Sequence, residues 1–145
     1  MKEIRFKIKG NQEDGTGNPI PYTRTTRGSH WNEKTKRYNA WKEFVVGEFL
    51  KSIENNYPEY LQKFQHNWIN RGKLIELKKD AKVKVDMVIE WKNKNHGDPD
   101  NVWKGIVDAL FDEDKNIDGS FSSGVTGEGA VEVTIIYDNE PFKNE

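Results

Sequence analysis

The sequence predicts an α+β fold, a two-layer mixed β-sheet packed against α-helices, and three observations carry that prediction. Residues 3–9, 81–91 and 131–137 alternate apolar and polar side chains, the period of a half-buried strand. Residues 38–55 and 58–69 instead repeat their apolar residues every three or four positions, as amphipathic helices do. The 145 residues contain no internal repeat and no linker that would divide them, so one domain over 1–145 is expected.

In the first strand Ile4, Phe6 and Ile8 point one way, and Arg5, Lys7 and Lys9 the other. Residues 10–37 have no periodicity, four Gly and two Pro, and read as a long loop of the kind that small domains keep for function. From Tyr38 to about Asn55, Trp41, Phe44, Val45, Phe49 and Ile53 form one helical face. Pro58 opens a second helix through Tyr60, Leu61, Phe64, Trp68 and Ile69, and Gly72 ends it. Val83, Val85, Met87, Ile89 and Trp91 give the core face of the next strand. A helix from about Pro99 to Phe111 follows, with Asp98 as N-cap and proline at its first position. The Gly-rich residues 119–129 read as a loop leading to a last strand with Val131, Val133, Ile135 and Tyr137 on one face.

Five Trp, seven Phe and five Tyr supply large surfaces for a core despite the high charged content. No apolar run approaches the ~20 residues that span a bilayer, and the N-terminus lacks a signal-peptide core, so no membrane partner is expected. With no Cys, disulfides, thiolate metal sites and cysteine nucleophiles are excluded, which fits a reducing cytoplasm. The net charge of −1 divides unevenly: +6 over residues 1–42, +2 over 43–97 and −9 over 98–145. A basic front and an acidic back suit a protein that grips a polyanion and also holds cations.

The acidic charge is densest between residues 96 and 119, which hold seven Asp and Glu. Carboxylates this close repel one another unless a cation neutralises them, and hard oxygen ligands point to a divalent metal. Positions 100, 104 and 108 share one helical face, so Asp100, Lys104 and Asp108 form a polar stripe with Asp98 and Asn101 at its start. The turn at 112–118 is expected to bring Asp112, Glu113, Asp114 and Asp118 back beside it. Converging carboxylates with a nearby lysine are what Mg²⁺-dependent phosphodiester cleavage requires. A competing motif lies in Asp114-Lys115-Asn116-Ile117-Asp118-Gly119, which satisfies the first six positions of an EF-hand calcium loop. Its twelfth position is Val125 where a bidentate Glu is needed, so a calcium-binding module using residues 112–119 is the alternative reading.

In the basic loop, Arg24, Arg27, Lys34, Lys36 and Arg37 are interleaved with Tyr22, His30 and Trp31, with Tyr38 just beyond. Basic side chains contact phosphates, and aromatic rings such as Trp31 stack on bases left unpaired at a branch point. His96, two residues before Asp98, reads first as a loop histidine with no role, and contact with substrate or metal is the alternative.

Asp98-Pro99-Asp100-Asn101-Val102-Trp103-Lys104, followed by Val107-Asp108-Ala109-Leu110, resembles the D-x-D-N-x-x-K…LDAL signature of the RusA family of phage- and prophage-type Holliday junction resolvases. Glu113-Asp114-Lys115-Asn116-Ile117 is similar to the D-D-x-Q-I segment that follows there, and Gly17-Asn18-Pro19-Ile20-Pro21-Tyr22-Thr23-Arg24 to the family's G-x-P-x-P-x-x-R opening. The resemblance implies a RusA-like fold and a homodimeric, Mg²⁺-dependent endodeoxyribonuclease that makes paired nicks in four-way DNA junctions. It would be a cytoplasmic, bacterial or phage-encoded protein of recombination and repair. By position it makes Asp98, Asp100 and Asp114 the catalytic carboxylates and metal ligands, and Lys104 the catalytic lysine. Asn101, Asp108 and Glu113 are supporting residues. The sequence departs from the family in the short turn before the acidic pair, which leaves Asp112 and Glu113 as alternatives to Asp114. It also has Thr26 where a second loop basic residue usually stands, with Arg27 one position on. A branched-DNA-binding protein without cleavage is the remaining alternative.

Overall fold

Alternation in the first segment produces strand β1, Lys2–Lys9, with Ile4, Phe6 and Ile8 buried. The computed structural model describes residues 1–9, 17–22 and 33–143. Helices α1, Glu33–Asn56, and α2, Pro58–Arg71, follow; then come strand β2, Val83–Trp91, helix α3, Pro99–Leu110, and strands β3, Ile117–Val125, and β4, Ala130–Tyr137. The strands form one mixed sheet in the order β1-β4-β2-β3. β4 pairs antiparallel with both β1 and β2, whereas β2 and β3 run parallel with Val83 opposite Ile117 and Trp91 opposite Val125. This is the predicted α+β architecture.

Helices cover one face of the sheet and water the other. The odd residues of β2, from Val83 to Trp91, are buried with Val131, Val133 and Ile135 of β4, while Arg5, Lys7, Lys84, Val88 and Glu132 are exposed. An antiparallel-type sheet with one wet face reads in the sequence as clean alternation, which is why these strands were predictable. Phe49 of α1 meets Phe6 edge-on at 5.2 Å, and Phe64 of α2 packs on both Phe49 and Phe142. Gly72 closes α2 in the left-handed conformation, φ 66°, and donates its N–H to Trp68 O at 3.0 Å, as its position past the last apolar residue predicts.

The structure corrects the sequence reading in two places. Helix α1 begins at Glu33, not Tyr38, so Lys34, Lys36 and Arg37 lie on its first turns rather than in a loop. That turn is polar, but Thr35 is buried one turn ahead of Tyr38 and continues its face. The second correction is β3. Residues 117–125 form an edge strand, where a Gly-rich loop was expected over 119–129. Only Ile117 of this strand is buried, so it carries no alternation to read.

β3 also removes the calcium loop. Asp118 and Gly119 lie in a strand paired to β2, and Gly119 does not have the positive φ seen at Gly17, Gly72, Gly127 and Gly129. Its lack of a side chain serves another purpose: a Cβ there would collide with Val85 O and stand 3.1 Å from the Trp103 ring. Trp103 Nε1 donates to that same carbonyl at 2.9 Å, fastening α3 over the β2–β3 seam.

Candidate active site

The parallel β2–α3–β3 unit places the start of α3 at the end of the sheet where β2 and β3 finish. Asp98 caps α3 as predicted: its Oδ1 accepts from Asp100 N at 2.9 Å, with Pro99 at the first helical position. The cap holds the backbone of Asp98 and Asp100 in one turn, so both carboxylates stand exposed at a helix N-terminus, where the helix dipole favours negative charge. One turn on, Lys104 Nζ lies 3.4 Å from Asp100 Oδ2. Both groups are about half exposed, so this pair contributes little stability and leaves the lysine free to reach a substrate oxygen.

Asp108, the third residue of the stripe, is held differently. Tyr38 OH donates to its Oδ2 at 2.6 Å, and Lys42 Nζ, lying 4.8 Å from the centre of the Tyr38 ring, approaches the same oxygen at 3.3 Å. Burial and the bond to Asp108 push the Tyr38 phenol well above its ordinary range, so it remains a donor at any physiological pH. Asp108 is therefore a strut between α1 and α3. Lys42 was not predicted at the site, and Tyr38 was read as an aromatic beside the basic loop rather than as a partner of Asp108, although their spacing of four puts them on one helical face. An open groove of about 450 Å³ continues the stripe past Asp108 to Lys73 and Asp112.

The 112–118 turn is not beside Asp98 and Asp100. It follows the other end of α3, a helix of 12 residues and so about 18 Å long. There Ile117 N donates to Asp114 O at 3.0 Å, and Asn116 Nδ2 reaches Lys79 O at 3.5 Å, leaning the turn against residues 77–81. Asp98 and Asp100 are brought together; Asp114, Glu113 and Asp118 are not brought to them. Among the described residues no three Asp, Glu or His side chains are grouped to hold a metal ion. Two carboxylates at an exposed helix start still fit Mg²⁺, which commonly takes one or two from the protein and completes its shell with water and substrate phosphate.

Asp112 sits beside buried Glu76, and burial together with that neighbour raises its pKa, opposed by Lys73. A raised carboxyl pKa means the folded state holds its proton more tightly than the unfolded chain, so ionised Asp112 lowers stability at neutral pH. Asp112→Asn should melt higher than wild type at pH 7. The gain should shrink as pH falls through the raised value toward the ordinary one near 4. Melting curves at pH 7 and pH 4 that differ from wild type by the same amount would contradict this.

Segment 17–22 completes the site. Asn18 is 2 % exposed; its Nδ2 donates to Asn93 Oδ1 and Asn95 O, both at 2.9 Å, and its Oδ1 accepts from Lys92 N at 2.7 Å. Tyr22 N donates to Asn101 O at 2.7 Å, and Tyr22 packs edge-on against Tyr38 with ring centres 5.5 Å apart. The chain lies so close to α3 that a Cβ on Gly105 would stand 3.3 Å from Tyr22 N. His96 stacks flat on buried Trp91, centroids 4.0 Å apart, with Nδ1 2.8 Å from Gly97 O. Because a carbonyl only accepts, Nδ1 carries the proton of that bond. Arg24, Arg27 and Trp31 lie outside the described residues.

No protein-family model matches the chain, and no curated protein matches it. Among the described residues no helix is long and apolar enough to cross a membrane.

Proposed function

We propose that the chain is a RusA-like, Mg²⁺-dependent endodeoxyribonuclease acting on branched DNA, the four-way junction above all. One observation carries the reading: the segment leading into the basic arm is docked, through Tyr22 and Asn101, on the helix start that presents Asp98 and Asp100. Two stretches that resemble the same family, some eighty residues apart in the sequence, thus meet at one place. Arg24 stands two residues after Tyr22 in the sequence and Arg27 five, and this nearness along the chain supports reading phosphate-binding and metal-binding charge as parts of one site.

In this reading Asp98 and Asp100 hold Mg²⁺. Mg²⁺ bound there would provide water activation and charge neutralisation at the scissile phosphate. Lys104, freed from Asp100 as the substrate approaches, stabilises the negative charge that develops on the phosphate oxygens. The arm and the first turn of α1, with Lys34, Lys36 and Arg37, bind the DNA backbone; they set the register and carry no sequence preference.

The test is incubation with a synthetic four-way junction and with linear duplex, with and without Mg²⁺. Paired nicks in the junction, dependent on Mg²⁺, are expected, with the duplex spared. Junction binding without cleavage under either Mg²⁺ or Mn²⁺ would make the chain a branched-DNA-binding protein instead. Indifference to both DNAs would sink the proposal.

A further inference from the structure

His96 is held more firmly than an exposed histidine without a role needs to be. Its imidazole lies flat on Trp91, with centroids 4.0 Å and planes 9° apart, and its Nδ1 is fixed on Gly97 O at 2.8 Å. Trp91 beneath it is 1 % exposed, and its carbonyl accepts from both Thr126 N and Gly127 N at 3.0 Å, so the stack stands on a fixed backbone. The residues on either side are pinned as well. A Cβ on Gly97 would stand 2.9 Å from Pro21 Cγ, and Asn95 gives its carbonyl to Asn18 Nδ2 and its N–H to Asn93 Oδ1.

Despite these contacts His96 is exposed. One face of the ring lies on Trp91 and one edge on Gly97, so the surface left to water is chiefly the outer face. That face suits a nucleobase. Every base has a π-face that stacks on an aromatic ring, whatever the sequence, provided that no neighbouring base already covers it. In linear duplex both faces of each base are covered; at a branch point some are not. The surroundings suit the rest of a nucleotide. Residues 92–97 hold Lys92 and Lys94 and no acidic residue, and both lysines are exposed. Asp98, the cap of α3, is two residues on, at most about 7 Å along the chain. A ring already fixed in plane and position loses little freedom when a base settles on it, so more of the stacking energy appears as affinity.

We propose that the outer face of His96 is a stacking platform for an unpaired nucleobase at the branch, set beside the carboxylates of α3, with Lys92 and Lys94 on the adjoining phosphates. Trp91 anchors the ring and His96 meets the DNA. The platform rests on the reading of the chain as a protein of branched DNA, and it gives that site a means of telling a branch from linear duplex.

Alanine at position 96 would uncover Trp91 and offer its larger ring in place of the imidazole. Leucine keeps Trp91 covered and has no π-face, so it is the informative replacement. Binding is measured without metal, where no cleavage follows, on a four-way junction and on linear duplex. His96→Leu should bind the junction about 10- to 100-fold more weakly and the duplex within about twofold of wild type. His96→Phe keeps a ring and has no ionisable nitrogen, and it should match wild type on both DNAs. A fluorescent adenine analogue at the branch should be dimmer in complex with wild type and His96→Phe than with His96→Leu.

Equal junction affinity in all three proteins overturns the proposal. So does a loss by His96→Leu that is as large on duplex as on junction, since a ring that reads an unpaired base has no part in duplex binding. Ring-dependent binding with no cleavage under Mg²⁺ or Mn²⁺ removes the nuclease reading and keeps the platform. Mg²⁺-dependent cleavage with His96→Leu binding like wild type keeps the nuclease reading and removes the platform. Failure to bind either DNA removes both.

Discussion

Asp98→Asn and Asp100→Asn should each lower junction cleavage by ~10²–10³-fold, about 3–4 kcal/mol in the barrier, while junction affinity holds or rises. The amide keeps the size of the carboxylate and removes the charge that a Mg²⁺ ion needs. At position 98 the substitution separates two roles of one side chain. Asn caps a helix about as well as Asp, so the bond to Asp100 N at 2.9 Å and the geometry of α3 should survive. Asp98→Ala, by contrast, loses both and should melt lower by the ~1 kcal/mol of a cap. In the proposed reading binding rests on basic residues outside this turn, and removing a negative charge near a polyanion does not weaken it. Single-turnover cleavage and junction binding, measured separately for each variant, give the comparison. Wild-type cleavage by Asp100→Asn would exclude it as a metal ligand, and parallel losses of binding and cleavage would point to unfolding of the helix start instead.

What could be read in the sequence followed from how each element meets water. β1, β2 and β4 have one wet and one buried face, so their period is written in residue type. α3 announces itself twice, by Asp98-Pro99 at its start and by Val102, Ile106, Val107 and Leu110 along its core face. β3 is wet on both faces, and its strand character comes from pairing with β2 rather than from its own side chains. The same division runs through the site. Asp98, Asp100 and Lys104 are neighbours on one helix, and local spacing suffices to group them. The relation of Asp114 to them depends on where β3 begins, which is a property of topology. Tyr38 and Asp108 are 70 residues apart, and nothing in either segment names the other. Asn18 is the clearest case: a polar residue between Gly17 and Pro19 reads as solvated loop, yet it is among the most buried polar groups described.

That burial makes Asn18→Ala the substitution with the largest expected effect on stability outside the apolar core. The side chain ties segment 17–22 to residues 92–95 through three hydrogen bonds of 2.7–2.9 Å. Removing it takes this partner from Asn95 O and Lys92 N, while Asn93 Oδ1 keeps the bond from Asn95 N at 3.0 Å. Each unsatisfied buried group costs about 1–3 kcal/mol, and access of water to the exposed 92–95 loop relieves part of that. A loss of about 3 kcal/mol is expected, roughly 8 °C in Tm for a chain of this size. Asn18→Asp tests the polarity of the clasp: it still accepts from Lys92 N but turns an oxygen toward two acceptors, so it should do no better than Ala at neutral pH. The functional loss should exceed what unfolding explains. With the clasp open, the bond from Tyr22 N to Asn101 O should no longer hold residues 17–22 on α3. Junction affinity should then fall even well below Tm, with added phosphate-binding charge at the arm unable to restore cleavage. An Asn18→Ala protein that melts within about 1 °C of wild type, or that binds and cleaves the junction normally at low temperature, would show that segment 17–22 and the acidic helix start are positioned by something other than this residue.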